Sequence, residues 1–127
     1  MKIYGIGTDI SNIRRIKKLI KNKNIVNRLF HPKEIEKCKK QKNASNCFAK
    51  RFAAKEAFTK ALGTGIAKGI SFKEICVNNI KSGKPTLELL GSTKKITKKI
   101  LKKKNFDVFV SLSDDKPFAI ATVIISL

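Results

Sequence analysis

Tryptophan is absent from this chain, tyrosine and histidine occur once each, and only nine of its 127 residues are acidic. Without aromatics interleaved among its basic residues, it lacks the stacking platform of an RNA-binding sheet. The sole histidine, His31, sits before Pro32 at a helix start, so a Ser-His or Cys-His nucleophile system has little support. Three cysteines, Cys38, Cys47 and Cys76, are odd in number and lack C-x-x-C spacing. They read as reduced thiols rather than a disulfide framework or a zinc site. No run of about 18 apolar residues is present, which leaves no membrane-spanning helix to expect. The opening Met1-Lys2-Ile3-Tyr4-Gly5-Ile6-Gly7 has no long apolar stretch behind a basic start, so no signal peptide is expected. A cytoplasmic location follows as the expectation.

What is plentiful is positive charge. Lysine and arginine number 29, giving a net charge of +20 and a pI near 10.2. Such a field draws polyanions: nucleic acid, an anionic membrane, or an acidic protein. Part of it can equally be solvated lysine from a lysine- and asparagine-rich composition, visible in Lys21-Asn22-Lys23-Asn24 and Lys102-Lys103-Lys104-Asn105. With 42% hydrophobic and 30% charged residues, the chain reads as a single globular domain over 1–127. At this length it buries about two thirds of its unfolded surface.

Residues 2–10 alternate as a strand ending at Thr8-Asp9, and Ser11 or Asn12 can cap a helix with Ile13, Ile16 and Ile20 on one side. A short helix over 25–30 follows, and Pro32 opens another with Glu34 and Glu36 in its first turn. Asn43-Ala44-Ser45 starts a long helix that Gly63 is placed to end. After a loop over 63–69, strands are expected over 72–80 and 86–90 around a Lys81–Pro85 turn. A helix over 91–104 and a hairpin of strands over 108–113 and 118–126 complete the chain. Strict βαβ alternation is missing. The fold class is therefore α+β, a largely antiparallel sheet packed on a long central helix.

Chemistry concentrates where ionic groups meet apolar ones. In Arg51-Phe52-Ala53-Ala54-Lys55-Glu56-Ala57-Phe58-Thr59-Lys60, a carboxylate and cations lie on a helix otherwise made of residues that helices bury. Burying a charge costs several kcal/mol unless something compensates it. The plain alternative is an i,i+4 surface pair of Glu56 with Lys60. At ~100° per residue, Phe48, Phe52, Lys55, Glu56 and Thr59 share about a third of the helix circumference, enough for a metal and a phosphate on one face. Asp9 ends an apolar strand whose Gly5 and Gly7 admit close approach, although it can also simply cap the next helix. Asp114 ends another strand and is otherwise a turn residue. Two convergent carboxylates with waters and a phosphate suit Mg²⁺, and Lys55, Lys60 and Arg51 suit phosphate oxygens beside it.

These segments together resemble holo-acyl-carrier-protein synthase. Gly5-Ile6-Gly7-Thr8-Asp9-Ile10 with Ile13-Arg14-Arg15-Ile16 is similar to that family's opening motif, and Arg51 to Phe58 to its second. Gly63-Thr64-Gly65-Ile66, Gly69-Ile70-Ser71-Phe72 and Gly83-Lys84-Pro85 are similar to its middle. Val110-Ser111-Leu112-Ser113-Asp114 and Phe118 to Ile125 are similar to its end. The resemblance implies a 4′-phosphopantetheinyl transferase-like fold that moves phosphopantetheine from coenzyme A to a serine of apo-acyl carrier protein. It implies release of adenosine 3′,5′-bisphosphate, service to fatty-acid synthesis, dependence on Mg²⁺ and a homotrimer with active sites between subunits. It implies Asp9 and Glu56 as metal ligands, with Glu56 and Lys60 catalytic. It implies Lys60 near the coenzyme A phosphates and Arg14 at the acidic carrier protein. Arg51, Lys55, Gly63 and Asp114 are further candidates at the coenzyme, and Arg15 and Lys18, which crowd the same short helix as Arg14, are further candidates at the carrier. Ser11-Asn12 and Asp114 depart from the common pattern, which stands Val-Glu and histidine there.

A small basic nucleic-acid-binding protein is the competing reading. It accounts for the lysines but not for Asp9 and Glu56, which repel phosphate unless a metal intervenes. Neither nucleic acid nor membrane is expected as a partner.

Overall fold

The computed structural model describes all residues from Met1 to Leu127. Its elements run β1 (Ile3–Asn12), α1 (Ile13–Leu19), α2 (Lys23–Leu29), α3 (Pro32–Lys39), α4 (Ala44–Leu62), a 3₁₀ turn (Phe72–Glu74), β2 (Ile75–Asn79), β3 (Pro85–Leu89), α5 (Gly91–Leu101), β4 (Asp107–Asp115) and β5 (Phe118–Ser126). A three-stranded sheet has the order β1-β5-β4, a two-stranded one pairs β2 with β3, and every pairing is antiparallel. No helix is long and apolar enough to cross a membrane.

The expected α+β architecture is what forms. Local chemistry explains most boundaries. Asn12 and Asn22 cap α1 and α2 by accepting from the second and third backbone N–H groups. His31 and Glu34 form a reciprocal capping box at α3, with Pro32 in the first turn. Gly63, at φ +90°, ends α4 in the left-handed conformation that glycine adopts without penalty. The segment expected as one strand over 72–80 instead begins with the 3₁₀ turn, because the Glu74 carboxylate reaches across to Ser92 and Thr93 at the start of α5.

Helix α4 is the centre of the molecule. Ala53, Ala54, Ala57, Phe58, Ala61 and Leu62 on it meet Ala121, Val123 and Ile125 of β5 in the main core. A second core joins Ile13 and Ile16 of α1, Phe30 and Cys38 to Cys47, Phe48 and Ala49 at the start of α4. Small residues on α4 let the sheet approach closely. The other face of the sheet stays open: Ile6, Ile10, Phe118 and Ile120 are 59%, 57%, 41% and 36% exposed.

One expectation about the cysteines is corrected. Cys38 at the end of α3 and Cys47 at the start of α4 are joined by a disulfide, with Cα atoms 5.4 Å apart, and only Cys76 is a free, buried thiol. The absence of C-x-x-C spacing concealed this, because the nine-residue separation becomes a contact only once α3 folds back on α4.

Candidate active site

The two glycines of β1 set the site. Residues 5, 7, 9 and 11 of β1 point toward α4, and the chain there runs almost against the helix backbone. A Cβ built on Gly7 falls 2.7 Å from Ala61 N and 2.9 Å from Ala57 C, and closer still to the Ala57 carbonyl oxygen. Only glycine fits. Two residues further along, Asp9 emerges past the side of α4, and one residue before Ala57 stands Glu56. The close strand–helix packing therefore brings the two carboxylates to one place.

They line a cleft of about 500 Å³ with Ile10, Arg15, Ile16 and Phe52. Lys60, one turn beyond Glu56, donates to Asp9 Oδ1 at 3.1 Å and to the Thr8 carbonyl at 3.0 Å. The alternative i,i+4 pair of Glu56 and Lys60 does not form; Lys60 instead bridges α4 to β1. Ser11 donates to Asp9 Oδ2 at 3.4 Å. Partial burial, reinforced by the Asp9 carboxylate, pushes the Glu56 pKa up, while Lys60 and Arg15 pull it down. An acid held above its ordinary range beside a second carboxylate and two cations is a natural proton acceptor. From Glu56 a separate apolar groove of about 430 Å³ runs past Phe52, Ile66, Ile70 and Phe72.

Not every sequence-selected residue gathers here. Lys55 is a correction: its side chain is fully buried, pairing with Glu34 at 2.6 Å, and it lines neither cleft. It sits next to Glu56 in sequence but turns inward, so it is not available to a coenzyme phosphate. Arg51 points to the opposite side of α4. Its side chain is almost fully buried, donating to Cys47 Sγ at 3.1 Å and Asn79 Oδ1 at 3.1 Å, and its Nε has no partner. With Lys37, Lys50, Asn79 and Gly83 it lines a third, cationic cleft of about 310 Å³. Burial, and after it the Arg51 charge, lowers the Lys37 pKa there. Asp114, on β4, lies on this side too, accepting from Asn46 at 2.9 Å and pairing with Lys50 at 3.6 Å. Helix α4 thus separates Asp9, Glu56 and Lys60 from Arg51 and Asp114 within one chain. Gly63 caps α4 and opens the loop toward Ile66. Along α1, Arg14, Arg15 and Lys18 are all exposed, and Arg15 alone reaches the carboxylate cleft. The composition missed Lys37 and Asn79; only their meeting with Arg51 across three elements marks them.

Asp9 and Glu56 fit a hard divalent cation. Oxygen donors face each other across an open cleft, and the mutual repulsion that raises Glu56 is what a cation relieves. No group of three or more His, Cys, Asp or Glu side chains comes together anywhere in the chain, so water or substrate oxygens must complete the shell.

Comparison with known proteins gives the family. The 4′-phosphopantetheinyl transferase superfamily model matches residues 5–123, and the chain belongs to that superfamily. Within it, the chain is 47% identical to the holo-[acyl-carrier-protein] synthase of Pelagibacter ubique over 125 residues, 98% of each chain. It superposes on the holo-[acyl-carrier-protein] synthase of Neisseria meningitidis with a TM-score of 0.86 at 35% identity, covering 98% of this chain and 99% of that one. The Helicobacter pylori synthase, solved in complex with coenzyme A, gives 0.80 at 35% identity, covering 95% and 99%.

Proposed function

We propose that this chain is a single phosphopantetheinyl transferase domain over 1–127. It transfers the 4′-phosphopantetheine group from coenzyme A to a serine of an acidic apo-acyl carrier protein, for fatty-acid synthesis in the cytoplasm. The observation that carries this reading is the convergence of Asp9, Glu56 and Lys60 on one cleft, from a strand and a helix far apart in sequence.

The reaction breaks the bond between the β-phosphorus of coenzyme A and the bridging oxygen. It forms a new one from the carrier serine oxygen and releases adenosine 3′,5′-bisphosphate. Little covalent chemistry falls to the protein, which must position the reactants and offset charge. Glu56, its pKa raised by burial and Asp9, accepts the serine proton directly or through a water. Lys60 places its ammonium beside the transferred phosphoryl oxygens. Mg²⁺, which Asp9 and Glu56 would hold, supplies neutralisation of the pyrophosphate charge. The apolar groove from Glu56 suits the pantetheine arm, whose gem-dimethyl carbon lies one methylene beyond the phosphate ester oxygen. Gly63 opens the loop along that arm. The exposed cations Arg14, Arg15 and Lys18 suit an acidic carrier helix.

Arg51 and Asp114 enter through assembly. Coenzyme A is too long and too charged to be served by one side of α4. The cationic cleft at Arg51, with its unpartnered Nε, suits the nucleotide phosphates. A neighbour's cleft has to meet the Asp9–Glu56 cleft, and the open apolar sheet face supplies the contact surface. A homotrimer with coenzyme A between subunits satisfies both.

The test is transfer of a fluorescent phosphopantetheine from a coenzyme A analogue to apo-carrier protein, with and without Mg²⁺, beside gel shifts with DNA and RNA. Labelling that requires Mg²⁺ and is lost in Asp9→Ala supports the reading. Absence of labelling together with tight nucleic-acid binding overturns it.

A further inference from the structure

Lys55 carries a charge that the chemistry above does not use. Its ammonium is wholly enclosed and donates to three acceptors: Glu34 Oε1 at 2.6 Å, the Phe72 carbonyl at 2.8 Å and the Ile75 carbonyl. The two carbonyls bracket the 3₁₀ turn over Phe72–Glu74. Glu34, equally buried, accepts in turn from His31 N at 2.9 Å and from Val77 N at 3.0 Å. One ion pair thus ties the start of α3, the middle of α4 and the segment entering β2.

Stability alone is a poor reason for keeping this pair. Replacing a buried ion pair with well-packed apolar side chains is often neutral or stabilising. Hydrocarbon can fill the space but cannot orient two backbone carbonyls. What those carbonyls orient is the wall of the apolar groove. Phe72 packs edge-on against Phe52 with ring centroids 5.8 Å apart. Phe72, Ile70 and Phe52 line the groove that ends at Glu56. Lys55 neighbours Phe52 on α4 but is wholly buried and does not line this groove, which its ammonium reaches only through the Phe72 carbonyl, so any effect on the groove travels through the 3₁₀ turn.

We infer that Lys55, with Glu34, is a positioning residue that fixes the 3₁₀ turn and so shapes the groove for the pantetheine arm. This rests on the reading that the groove takes that arm. Binding of two ligands separates the parts: coenzyme A, which has the arm, and adenosine 3′,5′-bisphosphate, which lacks it.

Calorimetric dissociation constants are measured in Mg²⁺ buffer for wild type, for Glu34→Gln and for the double variant Lys55→Met with Glu34→Gln. In wild type the arm makes coenzyme A bind tighter than the bisphosphate. In the double variant coenzyme A affinity should fall about tenfold, the scale of losing one or two well-packed methylenes, while bisphosphate affinity stays unchanged. Glu34→Gln alone should keep the arm's contribution. The glutamine keeps a side-chain oxygen as acceptor, and Lys55 still donates to both carbonyls. If the double variant does not fold, Lys55→Gln with Glu34→Gln, which keeps one donor, serves in its place, with a smaller loss of the same kind. A folded double variant that keeps the full coenzyme A advantage overturns the inference. So does an equal loss for both ligands, which marks a merely structural role. Equal affinity of wild type for the two ligands overturns the groove reading itself.

Discussion

Replacing Gly7 by alanine should separate the two carboxylates, and the structure sets how far. The new methyl would stand 2.7 Å from Ala61 N and 2.9 Å from Ala57 C, below the 3.0 Å that real Cβ atoms essentially never cross. The Ala57 carbonyl is nearer still. Every one of these atoms is backbone of α4, so no side chain can rotate away. Relief requires β1 and α4 to part by on the order of 1 Å. Overpacking of this kind costs about 3 kcal/mol, which in a domain this size lowers Tm by roughly 10 °C. The chemical effect should be larger than the thermal one. Asp9 and Glu56 ride on the two elements being forced apart, and about 1 Å of misplacement costs on the order of 100-fold in rate. Thermal unfolding and carrier-protein labelling on the same preparation read both quantities. Gly63→Ala is the control: its φ of +90° makes alanine strained, yet nothing lies within 4 Å of the added Cβ. It should lose stability with far less loss of kcat. A Gly7→Ala protein with unchanged Tm and near-normal turnover would refute the claim that this contact sets the carboxylate spacing.

Glu56→Gln should abolish transfer yet raise Tm at neutral pH in chelator-containing buffer. The fold raises the Glu56 pKa, so its contribution to stability is present below the unfolded value, about 4.3, and is lost as pH rises through the folded one. The gain should therefore vanish in acid, and a Tm below wild type at neutral pH would contradict it. Turnover of the wild type should fall as pH drops through that same raised value, an acid limb that a rate profile would reveal. Arg14→Ala should raise KM for the carrier protein a few-fold and leave KM for coenzyme A unchanged, and the wild-type carrier KM should itself climb as salt is added. Arg15→Ala should lower kcat as well, because Arg15 alone of the α1 cations reaches the carboxylate cleft. Ile120→Lys, on the open sheet face, should yield a folded monomer by sedimentation with activity lost; a fully active monomer would count against shared sites.

Much of the architecture was legible because it rests on local chemistry. The long helix ran from just after Asn43 to Gly63 as its cap signals indicated, and the last strand over 118–126 matched residue for residue. The 3₁₀ turn was not visible, since Glu74 acts on α5 across a separation that no periodicity records. The same limit hid Lys55. On a helix buried nearly all round, wheel position does not separate solvent from core, and the partner Glu34 lies 21 residues away. Asp9 and Glu56 were legible for the opposite reason. Acids are so few in this chain that one set in an apolar stretch stands out, and two glycines announced where a strand could come close enough to join them. The cysteine pair failed because spacing rules count residues along the chain, and the turn between α3 and α4 cancels that distance.

Helix α4 stands as a partition, with the carboxylates on one side and the Arg51 cleft on the other. On the proposed reading, in which coenzyme A spans both clefts, a chain built this way presents two unlike half-sites facing in different directions, and copies would join head to tail rather than face to face. An open row would leave one half-site unused at each end, whereas a closed ring of three completes as many sites as it has chains. Coenzyme A, touching two chains at once in that arrangement, would bind the ring and not the isolated chain. By mass action it should hold the ring together on dilution, making the substrate a component of its enzyme's quaternary structure.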